Sequence, residues 1–82
     1  MDVESLKAAR RRTVGTRQTL RAVENDQAAC VFLARDAEER VIKDLLQMCG
    51  TKGIEMQWVE TMEMLGKACG IQVGAASAAI LK

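Results

Sequence analysis

The sequence contains no histidine and no proline, only two serines, and no apolar run approaching the roughly 18 residues of a membrane span. Without histidine, the commonest general base and the commonest metal ligand are both missing. No Walker-type or dinucleotide glycine loop takes their place. Cys30, Cys49 and Cys69 are odd in number and far apart, with no basic neighbour at motif spacing. That argues against a disulfide framework, a zinc site and an activated thiol, and places all three in the core as small hydrophobes. The acidic cluster Asp36, Glu38 and Glu39 stands beside a helix start, where capping and dipole roles account for it. No constellation for catalysis remains, so a non-enzyme without cofactor or metal is expected. The first residues lack the apolar core of a signal peptide, which makes the cytoplasm the expected location.

What is present fits one small domain spanning residues 1–82, with 49% hydrophobic residues. A chain of this length buries roughly 60–65% of its unfolded surface. The net charge of +1 conceals an uneven distribution. Residues 1–21 hold six Lys/Arg against two Asp/Glu, residues 22–66 hold four against nine, and residues 67–82 hold two against none. If the fold joins the two basic ends, they form a local positive patch on a nearly neutral protein.

The periodicities alternate between helix and strand. Val3, Leu6 and Ala9 recur at a helical interval within Asp2–Arg11. The Arg10–Arg12 run at its end suits either the helix dipole or a phosphate. Thr13–Gly15 fits an edge strand running into a second helix, with the Thr16 hydroxyl as N-cap and an end near Asn25, a good left-handed residue. At about 100° per residue, Arg17, Gln18 and Arg21 share one arc of that helix, opposite Leu20 and Val23. The free N–H groups of its first turn and this polar trio suit phosphates and base edges, although a basic helix start is also an ordinary solvated face.

Ala28–Ala34 is a continuous apolar run, the pattern of a central strand buried on both faces. Asp36 and Glu39 have capping-box spacing for a third helix. Its stripe of Val41, Ile42, Leu45, Leu46 and Cys49 ends in the Gly50–Gly53 region. Ile54, Met56 and Trp58 alternate on one face of a third strand, which makes the only tryptophan a core residue. Thr61 is placed to cap a short helix with Met62, Leu65 and Cys69 inward and Gly70 at its end, and Met62 and Met64 read as core filler. A loop at Ile71–Gly74 and a strand near Ala78–Leu81 complete the chain, although the Ala/Ser run also suits a helix. Four strands alternating with helices imply an α/β/α three-layer sandwich with a sheet of about four strands.

Three stretches carry a resemblance: Val14-Gly-Thr-Arg-Gln-Thr-Leu-Arg21, Leu33-Ala-Arg-Asp36 and Leu65-Gly-Lys-Ala-Cys-Gly-Ile-Gln-Val-Gly-Ala-Ala-Ser77. In order and spacing, over nearly the whole chain from Leu6 to Leu81, they resemble the kink-turn-binding ribosomal-protein family of the archaeal L-seven-Ae and eukaryotic L-thirty-e type, its short bacterial members most of all. The resemblance implies the same sandwich fold and an RNA partner. A kink-turn is a sharply bent RNA helix flanked by tandem sheared G·A pairs and an extruded nucleotide.

In the family pattern a Gly-Thr-Asn-Glu-x-x-Lys stretch lies against the G·A pairs. Gly15 and Thr16 match it, whereas Arg17, Gln18 and Arg21 stand at the Asn, Glu and Lys positions. Gln18 keeps a carbonyl acceptor but loses the charge, and the two arginines add planar cationic donors. These departures look like the bacterial form. The loop Gly70-Ile-Gln-Val-Gly74 is implied to pack Ile71 and Val73 against the extruded base, with Gln72 between them; the residues alone favour core packing after a helix. Lys67 reaches a phosphate or is simply solvated. Ala75, Ala76 and Ser77 are expected to support the loop. The other class of function this sequence admits is a protein-interaction module on the same fold, using the acidic middle segment. No heptad or long exposed edge is evident, and a monomer is expected.

Overall fold

The computed structural model describes residues 2–82. The elements alternate as α1 (Val3–Ala8), β1 (Arg12–Val14), α2 (Thr16–Glu24), β2 (Ala28–Ala34), α3 (Glu39–Lys52), β3 (Glu55–Val59), α4 (Met62–Ala68) and β4 (Ser77–Leu81). The strands form one four-stranded sheet in the order β1-β4-β2-β3. β4 runs antiparallel to both β1 and β2, and β2 is parallel to β3. The expected α/β/α sandwich is thus the observed fold. Among the described residues, no helix is long and apolar enough to cross a membrane.

The two central strands carry the core. On one face Cys30, Phe32 and Ala34 of β2 meet Leu6 of α1 and Leu65, Ala68 and Cys69 of the α4 end. On the other, Val31 and Leu33 meet Ala22 and Val23 of α2 and Ile42, Leu45 and Cys49 of α3. A register shift between Ala28 and Cys30 changes the alternation, so Ala28 joins the second face. In β4, Ala78 and Ala79 are fully buried on opposite faces. Their small side chains let both helical layers approach the sheet. The three thiols lie in these cores. Burial first, and the neighbouring Glu55 carboxylate second, push the Cys30 thiol up to about 11; burial also raises Cys49 and Cys69. A buried thiol held in its neutral form is inert.

The fold joins the basic ends. β1 pairs with β4, the Leu81 N–H donates to the Arg11 carbonyl at 3.0 Å, and the Arg12 guanidinium donates to the carbonyls of Ala9 and Cys69, each at 2.9 Å. Arg12 is therefore a tie between the first loop and the end of α4. The first helix is shorter than its periodicity implies. It stops at Ala8, so Arg10–Arg12 lie beyond its dipole.

Other local readings change for tertiary reasons. Asp36 does not cap α3, whose N-cap is Glu38, with no capping hydrogen bond from its side chain. Its carboxylate instead accepts the N–H of Met62 at 2.8 Å, while Thr61 Oγ1 accepts that of Met64 at 3.0 Å as expected. Two donors of the α4 first turn are satisfied this way, one from far away in sequence. Asn25 closes α2 with φ −92°, and the left-handed residue is Asp26 at φ 57°.

Trp58 is 42% exposed rather than buried. Alternation identified its face but not that β3 is a sheet edge, where a large side chain extends past the helical layer. The Arg35 guanidinium stacks 5.7 Å from the centre of its ring and pairs with Glu60 at 3.1 Å. Met64 and Val41 are also exposed, on the outer sides of their helices.

Candidate nucleic-acid interface

Because β1, β2 and β3 point the same way, the starts of α2, α3 and α4 and the start of β4 gather at one end of the sheet. Helix N-termini present unsatisfied N–H groups and partial positive charge. In open α/β sheets, ligands bind at the carboxyl ends of strands. Of the two stretches singled out in the sequence, residues 15–21 begin there, and residues 70–74 run back along α4 and lead into β4, which begins there.

Ser77 links the start of α2 to the start of β4. Its carbonyl accepts the Gly15 N–H at 2.8 Å, and its buried hydroxyl shares a 2.9 Å hydrogen bond with the Thr16 hydroxyl. Thr16 therefore does not act as N-cap, as local pattern suggested. Gly15 holds that position, with φ 93° and ψ 154°, a backbone conformation that strongly favours glycine. A second hydroxyl pair, Thr13 with Thr19 at 2.8 Å, is buried between β1 and α2. These two pairs fix the start of α2 against the sheet.

With Val23 buried and Leu20 packed on the core, the opposite side of α2 is turned outward as its periodicity predicts. Arg17, Gln18 and Arg21 are exposed and line a groove of about 410 Å³. Neither arginine forms a hydrogen bond or ion pair with another described residue. Gln18 is partly engaged: its Oε1 accepts the Val14 N–H at 3.3 Å, a long bond on the free edge of β1. The expectation of a fully free acceptor is thereby weakened. Asn25 and Gln27 line the same groove, and sequence reasoning misses them. Their polar side chains lie beyond the recognised motif, and only the return of the chain into β2 brings Gln27 alongside α2.

The loop between α4 and β4 lies flat on α4. The Ile71 N–H donates to the Gly66 carbonyl and the Ala75 N–H to the Met62 carbonyl, each at 3.0 Å. A Cβ built on Gly66 would stand 2.0 Å from the Val73 carbonyl oxygen, so this approach requires glycine. The loop divides the two hydrophobic roles. Ile71 is half-buried against the core, whereas Val73 is 70% exposed. Ile71, Gln72, Val73 and Lys67 border a smaller cleft of about 250 Å³ with Glu63. Lys67 is exposed and pairs with Glu63 at 3.4 Å across one helical turn, an ion pair too open to hold it firmly. Ala75 and Ser77 are buried and Ala76 is half-buried, its carbonyl taking the Ala34 N–H at 2.9 Å; the segment anchors the loop to β2.

Among the described residues, no group of three or more Cys, Asp or Glu is placed to hold a metal ion. The arrangement offers cationic and amide donors and an apolar loop tip. It is equipped to bind an anionic, base-bearing surface.

Residues 2–82 match the profile of the family described as ribosomal protein L7Ae/L30e/S12e/Gadd45. An RNA-binding protein of Caldanaerobacter subterraneus is 51% identical over 69 residues, 84% of either chain. The large ribosomal subunit protein eL8 of Halobacterium salinarum is 41% identical over 68 residues, covering 82% of this chain and 57% of that protein. Among solved structures, a 15.5kD RNA-binding protein of Giardia lamblia superposes with a TM-score of 0.86 at 26% identity, covering 98% of this chain and 68% of the other.

Proposed function

The chain belongs to the L7Ae/L30e/S12e/Gadd45 ribosomal-protein family, and on that premise we propose that it is a non-catalytic protein that recognises and stabilises kink-turn RNA, as a ribosomal protein or ribosome-associated factor. The observation that supports this reading is the pair of hydrogen bonds that tie the α2 start to Ser77, three residues after the loop at residues 70–74. Together the helix and the loop offer partners for what a bent RNA presents. Arg17, Gln18 and Arg21 suit phosphates and guanine edges at the sheared pairs. Val73, with Ile71 behind it and Gln72 beside it, offers an apolar seat for an extruded base. Gly15 and Thr16 hold the helix start in place, and Lys67 adds a cation at the flank.

The mechanism is a shift of population. A kink brings phosphates of two stems together, so with few divalent ions the bent form is a minor state of the free RNA. A protein with higher affinity for that form draws the equilibrium towards it. With fluorophores on the two stem ends of a kink-turn RNA in magnesium-free buffer, adding the protein should raise energy transfer towards its value in magnesium. Binding without any rise in transfer would contradict the reading.

A further inference from the structure

The groove beside α2 extends past the recognised motif. It continues from Arg17, Gln18 and Arg21 to Asn25 and Gln27, with Thr13 and Leu81 on its floor. No carboxylate lines it. Asp26, which follows Asn25, has its carboxylate held by Lys52 at 2.8 Å, and that hydrogen bond and charge lower its pKa.

Arg11 stands beside the groove residue Leu81. It lies at a bend just before β1, where the β1–β4 register that sets Arg12 against Ile80 continues by one residue and puts Arg11 opposite Leu81. Its carbonyl accepts the N–H of the floor residue Leu81, and one of its guanidinium nitrogens donates to the Lys82 carbonyl at 3.1 Å. A guanidinium has five donors, so most remain available.

The geometry points to a phosphate-binding strip that runs along the outer side of α2 and ends at Arg11, holding the backbone of the RNA stem that leads away from the kink. The inference rests on the RNA-binding reading above. Nine helical residues span about 13 Å, enough to follow several consecutive phosphates. The amides of Asn25 and Gln27 supply neutral donors to the same backbone. Such contacts carry affinity and orientation but not discrimination between RNA sequences.

Arg11→Gln and Arg11→Lys, with the wild-type protein, are titrated at several salt concentrations against a kink-turn RNA and a copy whose tandem G·A pairs are replaced by Watson–Crick pairs. Arg11→Gln should weaken binding to both RNAs several-fold by the same factor, and should make the slope of log K against log salt shallower by about 1. Arg11→Lys should keep both. An unchanged affinity and slope for Arg11→Gln would overturn the inference. So would a loss confined to the kink-turn RNA at constant slope, which would mean that the substitution disturbs α2. If the wild-type protein fails to distinguish the two RNAs, the kink-turn reading falls while the slopes still decide the role of Arg11.

Discussion

Gly66→Ala should lower the stability of the protein and its affinity for RNA together, although the substitution adds one methyl group. Within a helix, alanine normally gains up to about 1 kcal/mol over glycine. Here the new Cβ would stand 2.0 Å from the Val73 carbonyl oxygen and 3.1 Å from its carbon, and both are backbone atoms. No rotamer change relieves that overlap; the loop or α4 must move. Overpacking of this kind costs about 1–3 kcal/mol, and a domain of this size loses roughly 4–8 °C in melting temperature per kcal/mol. Displacing the loop also moves Val73, so RNA affinity should fall about tenfold or more, in line with the cost of a misplaced contact group. Gly50→Ala is the contrasting case. Gly50 lies inside α3 with open space, clear to 4 Å, where the alanine methyl would stand, so that variant should melt at or above the wild-type temperature and bind RNA unchanged. Equal melting temperatures for the two variants would refute this steric account.

The second large effect belongs to the polar side of α2. Arg21→Ala and Gln18→Ala should each weaken kink-turn binding by about 1–3 kcal/mol while leaving the melting temperature nearly unchanged. Arg21 is exposed, and its side chain has no hydrogen bond or ion pair with another described residue for truncation to break. Gln18 gives up only its 3.3 Å bond with Val14, whose N–H on a free sheet edge is open to water. Unchanged affinity in both variants, measured by titration, would remove the site assignment. A large loss of stability would show instead that these side chains serve the fold.

Much of this architecture was legible in sequence because its signals are local. The continuous apolar run of β2, the α3 stripe and the alternation of helix with strand are set by side-chain period, and, apart from the shortened α1, the structure places them with shifts of a residue or two. The readings that changed depend on partners distant in sequence. Asp36 has the spacing of a cap for the helix that follows it, yet the sheet brings it to the first N–H of α4. Thr16 has the chemistry of an N-cap, but Ser77 offers its hydroxyl a partner across the fold. Trp58 obeys the alternation and still faces solvent, because the position of β3 at the sheet edge is a property of topology.

The site shows the same division. The arc of Arg17, Gln18 and Arg21 follows from helix geometry alone. The resemblance pointed to the loop at residues 70–74, whereas composition could not separate Ile71 from Val73. Packing against α4 makes one an anchor and the other an exposed tip. Asn25 and Gln27 carry no pattern that distinguishes them from other polar residues until the fold sets them beside α2.

The central claim is that the protein selects a bent RNA shape rather than any anionic strand. Its most direct test is a titration of the wild-type protein, at one fixed salt concentration, against a kink-turn RNA and the same RNA with Watson–Crick pairs in place of the tandem G·A pairs. Loss of the contacts at the sheared pairs, at about 1–3 kcal/mol each, predicts binding tens of times tighter to the first RNA. Equal, weak binding to both would contradict the claim and reduce the basic groove to a general anion surface.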